Sequence, residues 1–246
     1  YRDKDGSKIN SGKITTFSNF SIVSENRIVK KPKTLSMKEA VLFGCAIPTG
    51  FGMVVNQIKP KKSMKILVLG LGGIGISTLL ALKCIGHKNV FVADISKSKL
   101  DIAKKLGFKK LISGNKKSMN KIVEKMYKGF FDICIESAGS IETIELGFDA
   151  IKENGGKLFF ASHPPNNEYI KIFPHDLIKG KTIQGSWGGK TIPNKDIPKM
   201  AKLIKKANIK LEQLITKTYR LENINEAIVD LKNGNIFRPV VDMDHS

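Results

Sequence analysis

The chain has 246 residues, of which 41% are hydrophobic and 26% are charged. These values exclude a disordered chain and a collagen-like chain. No apolar run approaches the roughly 20 residues that a transmembrane helix needs, so we expect no membrane partner. The three cysteines, Cys45, Cys84 and Cys134, form no Cys-x-x-Cys pair. This spacing argues against a disulfide scaffold or a self-contained zinc finger and favours a reducing compartment, which we take to be the cytoplasm.

The net charge is +20, from 42 basic and 22 acidic residues. A basic surface attracts phosphate, so a nucleic-acid partner has to be considered. However, the lysines are spread along the whole chain without interleaved aromatic residues, and only four of the basic residues are arginine. Arginine is the better residue for bidentate reading of bases. We therefore interpret the charge as a lysine-rich solvated surface and expect no nucleic-acid partner.

The first elements predicted along the chain are two short strand-like pieces at 15–17 and 20–23. Ser36 with Glu39 three residues later is a capping box, which predicts a helix from Met37. A second helix is predicted from Pro48, as its first-turn proline, towards Gln57.

Short apolar runs alternate with helical patterns over the next 120 residues or so, beginning with the nearly continuous apolar run 65–69. Such alternation implies a parallel sheet covered by helices on both faces, an α/β fold of the doubly wound Rossmann type. The predicted strands are 65–69, 90–94, 110–112, 133–135, 157–160 and the edge strand 182–184. The predicted helices between them are 74–85, 97–106, 119–126 and 141–151.

The alternation stops after Gly188. Two amphipathic helices are predicted at 196–207 and 223–232, with short strands at 217–219 and 239–241. This tail is too small for an independent domain, so we expect it to pack with the N-terminal segment into a second lobe. The sheet domain would then be an insertion between the two.

The residues 70–75, GLGGIG, match the pattern G-x-G-x-x-G directly after a predicted strand and at the start of a helix. This context is the one that dinucleotide binding requires. Gly70 allows the tight turn, Gly72 leaves room for a pyrophosphate against the backbone, and Gly75 lets the helix lie close to the strand. Gly73 and Ile74 lie at the helix N-terminus, which presents free N–H groups to phosphate. The alternative is a glycine-rich turn with packing roles only.

Asp94 ends the second predicted strand, 19 positions after Gly75. Its carboxylate would accept hydrogen bonds from the adenosine ribose hydroxyls and would repel a 2′-phosphate. The pattern therefore predicts NAD rather than NADP as the cofactor.

These motifs and their flanks resemble the zinc-dependent alcohol dehydrogenases of the medium-chain dehydrogenase/reductase superfamily, over about 16–241. The pieces that carry the resemblance are 44–52 (GCAIPTGFG), 70–75 (GLGGIG), 92–99 (VADISKSK), 132–139 (DICIESAG) and Arg238.

The resemblance implies roles for individual residues. Cys45 falls at the family's last catalytic zinc ligand, and Thr49 falls where a threonine lies against the nicotinamide ring. Asp94 and Lys99 fall on contacts to the adenosine ribose, and Arg238 falls on a contact to the pyrophosphate.

The loop 162–164 follows a predicted strand at the position where family backbone groups hold the nicotinamide carboxamide. Glu136, at the end of another strand, is interpreted as a satisfied polar group, with a ribose or loop contact as the alternative.

The sequence departs from the family because the other zinc ligands, the proton relay and the four-cysteine structural zinc loop are not in it. We therefore expect that the chain begins inside the family's GroES-like catalytic domain. The resemblance implies that 1–46 is a remnant of that domain, 47–187 is the NAD-binding Rossmann domain, and 188–246 returns to the catalytic domain.

The implied activity is NAD-dependent, zinc-assisted oxidation of an alcohol to an aldehyde or ketone, with this chain alone inactive. The implied assembly is a homodimer or homotetramer. Two alternatives stay open: a zinc-free reductase of the same superfamily, and a cofactor-binding module without catalysis.

Overall fold

A computed structural model describes residues 4–7, 16–234 and 236–243. Pro32–Lys210 forms one compact unit, and the described residues of Tyr1–Lys31 and Leu211–Ser246 form another. The sequence placed domain limits after residues 46 and 187 instead. Compact packing and domain ancestry are different properties, so that assignment stays a prediction.

The larger unit is built on a six-stranded parallel sheet in the order β3-β2-β1-β4-β5-β6. The order reverses between β1 and β4, which is the topology of the doubly wound dinucleotide-binding fold. The predicted α/β class is confirmed. The strands are β1 Ile66–Leu69, β2 Val90–Asp94, β3 Lys110–Ser113, β4 Ile133–Glu136, β5 Lys157–Phe160 and β6 Thr182–Gly185.

Helices connect these strands and cover the sheet. By the right-handed crossover rule, the helices after β1 and β2 lie on one face and those before and after β4 lie on the other. The helices are α1 Met37–Ala40, α2 Ala46–Gly52, α3 Gly73–Cys84, α4 Lys97–Lys105, α5 Lys116–Tyr127, α6 Ile141–Ala150, α7 Pro174–Ile178 and α8 Pro193–Lys206.

The central strand β1 explains why its sequence is almost continuously apolar. All four of its residues are fully buried, because β2 and β4 flank it and helices cover both faces. Val68, for example, pairs with Val92 on one side and Ile135 on the other. One core cluster extends across the sheet from Ile112 to Leu158. The strands β1 and β4 therefore hold their carboxyl ends side by side at a rigid edge.

The region before the sheet confirms one helix start and corrects another. The Ser36 hydroxyl accepts from the Glu39 N–H, and the Glu39 carboxylate accepts from the Ser36 N–H, as a capping box requires. The second helix begins at Ala46 rather than Pro48. Pro48 is tolerated in this first turn because an N–H there has no intrahelical acceptor.

A histidine directly after the helix stop at Gly86 is predicted to lie at the surface, but His87 is buried. The chain turns back after α3 through Gly86, at φ +66°, and the His87 N–H donates to the Leu82 carbonyl. This turn directs the imidazole inward, so that the residue is only 3% exposed. Nε2 lies 2.9 Å from the Met64 carbonyl oxygen, while Nδ1 has no hydrogen-bond partner among the described residues. Burial lowers the pKa of His87 below its ordinary value.

The smaller unit contains the parallel strands β7 Lys217–Arg220 and β8 Pro239–Asp242 and the helix α9 Ile224–Lys232. These elements agree with the predicted ones to within a residue. Tyr219 is buried, and its hydroxyl donates to the Asp230 carboxylate over 2.6 Å. The α9 helix is thereby fixed to β7.

The strand-like pieces predicted near the N-terminus do not form strands in the described residues 16–23; Thr15 lies outside them. Phe20 is 89% exposed and Ile22 is 86% exposed. A strand requires ladder hydrogen bonds to a neighbouring strand, so strand-like composition is insufficient by itself.

The described part of the chain contains no single helix of the length and apolarity that a membrane span requires. Met37–Gly44 and Ala46–Ile58 pass that test only as a pair, bent by 64° between them.

Candidate dinucleotide-binding site

The glycine turn follows β1 at the carboxyl edge of the sheet. Gly70 has φ +85°, a conformation that side chains disfavour, and a Cβ there would lie 2.6 Å from the Ala138 nitrogen. The Gly70 N–H donates to the Ala93 carbonyl over 2.8 Å. The first glycine is therefore required by both the turn and the neighbouring β4 connection.

Gly75 lies where α3 passes closest to the turn. A Cβ on Gly75 would lie 2.0 Å from the Gly70 carbonyl oxygen and 2.7 Å from Ser137 Oγ. The Ser137 hydroxyl donates to that same carbonyl oxygen over 2.7 Å. The third glycine thus permits the close helix–strand packing that the sequence predicted.

Gly72 differs from its two neighbours in having free space around it. The nearest atom to a Cβ built there is the Ser137 carbonyl oxygen at 3.9 Å. Its backbone is extended, with φ −71° and ψ −167°, so the fold itself does not demand glycine. The space beside Gly72 is a cradle that a side chain would fill, and it fits a group lying against the backbone.

The turn leads into α3, whose first residues are Gly73 and Ile74. The N–H groups of a helix's first turn have no intrahelical acceptors and carry partial positive charge. The first turn of α3 contains no acidic residue. The site is therefore suited electrostatically to a phosphate group.

Asp94 lies at the end of β2 and is only 6% exposed. Oδ2 accepts from the Leu71 N–H over 2.6 Å, and Oδ1 accepts from the Ser96 N–H over 2.7 Å. The carboxylate thus fixes the glycine turn to the β2 edge in addition to its predicted role towards ribose. This structural role could not be inferred from its position in the sequence.

Glu136 is fully buried at the end of β4. Its Oε1 accepts from the N–H groups of Ala138 and Gly139 and from the Thr143 hydroxyl, each over 2.8 Å. Its Oε2 accepts from the Ser162 hydroxyl. The expectation of a satisfied polar group is met, and the loop contact that was its alternative is present as well.

The loop 162–164 begins directly after β5 and Ala161. His163 is exposed and contacts the ring of Trp187 edge-on, with centroids 5.4 Å apart. Trp187 is 85% exposed, so the pair leaves most of the indole uncovered.

Cys45 and Thr49 lie before and within α2. Cys45 is exposed, and its carbonyl oxygen accepts from both the N–H and the hydroxyl of Thr49, the latter over 2.9 Å. The side chain of Thr49 is therefore oriented by the backbone of the residue predicted to bind zinc.

Two glycines in the GCAIPTGFG stretch have packing roles that sequence reasoning missed. A Cβ on Gly50 would lie 2.2 Å from the Ile74 carbonyl oxygen, and one on Gly52 would lie 2.6 Å from the Gly189 carbonyl oxygen. The Thr191 hydroxyl donates to the Pro48 carbonyl over 2.8 Å. The spacing of the two glycines was the available signal for helix α2 packing closely on two neighbours.

Lys99 lies half-buried in α4, shortly after Asp94. Arg238 belongs to the smaller unit, where its N–H donates to Thr216 Oγ1. The predicted cofactor contacts of both residues stay predictions.

No group of three His, Cys, Asp or Glu side chains able to hold a metal ion occurs within residues 4–7, 16–234 and 236–243. Cys84 and Cys134 are not suited to be ligands, because burial raises the pKa of Cys84 to about 11 and also raises that of Cys134. These described residues supply Cys45 as one candidate ligand, whereas a catalytic zinc site needs about three.

A family model described as "Zinc-binding dehydrogenase" matches residues 73–206. The match covers more than half of the chain and includes the helix after the glycine turn. The chain belongs to the zinc-binding dehydrogenase family. This assignment confirms the resemblance to the alcohol dehydrogenases of the medium-chain superfamily, and the chain is therefore a member of a family of oxidoreductases.

Curated relatives of this family member include alcohol dehydrogenase class-2 isozyme 2 of Oryctolagus cuniculus. It is 30% identical over 233 residues, which are 93% of this chain and 60% of the relative. Alcohol dehydrogenase 1 of Pisum sativum is 24% identical over 232 residues, which are 94% of this chain and 61% of that protein. The chain thus spans about 60% of the length of these relatives.

Two solved dehydrogenase structures resemble this chain over most of its length. Benzyl alcohol dehydrogenase from Acinetobacter calcoaceticus superposes with a TM-score of 0.85 at 28% identity, covering 94% of this chain and 64% of that one. An alcohol dehydrogenase zinc-binding domain protein from Burkholderia ambifaria gives a TM-score of 0.88 at 25% identity, covering 99% and 66%. Both likenesses confirm the Rossmann-type fold.

Proposed function

We propose that the chain is the cofactor-binding part of an NAD-dependent dehydrogenase that oxidises an alcohol to an aldehyde or ketone. The observation that carries this proposal is the free space at Gly72, between two glycines that the fold itself requires. Packing explains Gly70 and Gly75, whereas a ligand lying against the backbone explains Gly72. Membership of the dehydrogenase family supports the same function.

In the proposed complex, the N–H groups at the start of α3, including those of Gly73 and Ile74, bind the pyrophosphate. Asp94 accepts from the adenosine ribose with the lone pairs that its two backbone donors leave free, and it disfavours a 2′-phosphate. NAD, when bound, supplies the acceptor for the hydride.

On the same proposal, the other half of the site orients the nicotinamide. Thr49 lies against the ring, with its hydroxyl held by the Cys45 carbonyl. Lys99 completes the contacts to the ribose, and the pyrophosphate contact of Arg238 stays a prediction from the family resemblance.

Zinc assistance is a proposal for the whole protein, with Cys45 as one ligand. It is supported by the family description and by the exposed thiol of Cys45 beside Thr49. The described residues do not make a three-ligand site by themselves, so this chain alone is expected to be inactive. A zinc-free reductase and a non-catalytic module are the alternatives. Zinc content and activity distinguish them when they are measured on the longer protein that this proposal implies, in which this chain is one part.

A homodimer or homotetramer is proposed as well. The strand β6 is a sheet edge whose residues Thr182, Gln184 and Gly185 are exposed. Exposed edges are usually covered, and a second copy pairing with this edge would cover it. Sedimentation of the longer protein at moderate salt that gives only monomer would refute this proposal.

The test of the function itself is a fluorescence titration of the whole chain with NADH and with NADPH. We expect NADH to bind more tightly. Tighter binding of NADPH would contradict the assigned preference, and no binding of either would contradict the assigned site. Retention on DNA that falls with salt but not with added NADH would favour nucleic-acid binding instead.

A further inference from the structure

The carboxylate of Glu136 is a charged group buried at the carboxyl edge of the sheet, with 0% exposure. Burying a carboxylate is costly unless hydrogen bonds replace its water. Four donors surround it, so its position and its partners are tightly specified.

Three of these donors lie in the connection between β4 and α6 or in the first turn of α6. The N–H groups of Ala138 and Gly139 and the hydroxyl of Thr143 all donate to the same oxygen, Oε1. This part of the network fixes the loop that also packs against the glycine turn, where Ser137 donates to the Gly70 carbonyl.

The fourth donor comes from a different loop. The Ser162 hydroxyl donates to Oε2 from the segment that follows β5. A Cβ added to Gly139 would lie 3.6 Å from Ser162 Cβ, so the two loops run close together. Glu136 therefore joins the loop after β5 to the loop after β4 across the edge of the sheet.

A doubly wound sheet binds one half of a dinucleotide on each side of the point where its strand order reverses. Asp94 lies at the end of β2, on the adenosine side, whereas β4 and β5 lie on the opposite side of β1. The loop held by Glu136 thus borders the nicotinamide half.

We infer that Glu136 is a positioning residue: through Ser162 it holds the loop after β5 in the place where that loop meets the nicotinamide half of the cofactor. This inference rests on the proposed function. A residue with only a structural role would affect both halves of the site equally, whereas the hydrogen bond from Ser162 to Glu136 acts on the nicotinamide half.

The test compares NADH with ADP, which carries the adenosine and pyrophosphate but no nicotinamide. Ser162→Ala removes only the link between the loops, whereas Glu136→Ala would leave two buried N–H groups unpaired and could unfold the chain. Thr143→Val is the matched control, because it removes another hydroxyl donor from the same carboxylate, in the first turn of α6, where that hydroxyl also accepts from the Ser140 N–H. Dissociation constants for both ligands are measured by calorimetry on the whole chain, well below the melting temperature of each variant.

Ser162→Ala is expected to weaken NADH binding selectively, so that the dissociation constant for NADH divided by that for ADP rises about fivefold. Loss of one hydrogen bond to a charged group is sufficient for an effect of this size. Thr143→Val should leave this ratio within about twofold of wild type, whatever its effect on stability. An unchanged ratio in Ser162→Ala, or an equal rise in Thr143→Val, would overturn the inference while leaving the proposed function intact. Wild-type chain that binds ADP and NADH equally weakly would refute the proposed function itself, and the inference with it.

Discussion

Gly72 and Gly75 allow two requirements of the glycine turn to be tested separately. Alanine at Gly72 meets no atom closer than 3.9 Å and keeps an extended backbone that any residue adopts. Alanine at Gly75 would place its Cβ 2.0 Å from the Gly70 carbonyl oxygen, well inside van der Waals contact. The same substitution therefore fills ligand space at one position and disrupts packing at the other.

The expected magnitudes follow from these contacts. Gly72→Ala should lower the free energy of unfolding by about 1 kcal/mol, because glycine is a better residue than alanine at a helix N-cap. It should weaken NADH binding at least about tenfold, or ~1.4 kcal/mol, because the methyl group occupies the space beside the pyrophosphate.

Gly75→Ala gains helix propensity of about 1 kcal/mol, but the overlap cannot be relieved without moving backbone. A net loss of about 1–3 kcal/mol is expected, as for other overpacked sites. In a chain of this length each kcal/mol lowers the melting temperature by about 2–4 °C.

Thermal melts and NADH fluorescence titrations on the three proteins give both quantities. Gly44→Ala is the control, because a Cβ at Gly44 meets nothing within 4 Å. This substitution should change neither the melting temperature nor the affinity for NADH. NADH binding by Gly72→Ala within about twofold of wild type would refute the ligand space beside Gly72. A wild-type melting temperature for Gly75→Ala would refute the packing requirement at Gly75.

Three further expectations concern single side chains. Asp94→Gly should narrow the preference for NADH over NADPH in titrations. It should also lower the free energy of unfolding, because the buried Leu71 N–H loses its acceptor. A preference for NADH as large as in wild type would contradict the ribose contact. The free energy of unfolding should fall as the pH drops below 6.5, because burial lowers the pKa of His87 in the folded state and the unfolded chain therefore binds the proton first. Urea unfolding of His87→Leu should show a smaller fall over the same pH range. The same pH profile in His87→Leu as in wild type would contradict this role of His87. In the longer protein, Cys45→Ser should remove zinc and hydride transfer but leave NADH binding, whereas Cys84→Ser should keep all three; full zinc content in Cys45→Ser would show that the ligands lie elsewhere.

Local patterns in the sequence determined the elements of the site. The apolar run of β1, the glycine turn, the helix after it and the acidic residue ending β2 follow one another within about thirty residues. Each depends on near neighbours in the chain, through buried-strand hydrophobicity, turn geometry and helix termini. The same holds for the Ser36–Glu39 capping box, which the structure confirms.

Tertiary structure alone decided how separate segments meet. The Glu136–Ser162 hydrogen bond and the contact of Gly52 with Gly189 join residues far apart in the chain. No periodicity records such pairings, because periodicity reports only which face of an element is buried. The burial of His87 likewise depends on the turn after α3 directing it inward. The sequence therefore specified the turn that meets a phosphate, whereas the folded sheet brought together the loops that surround it.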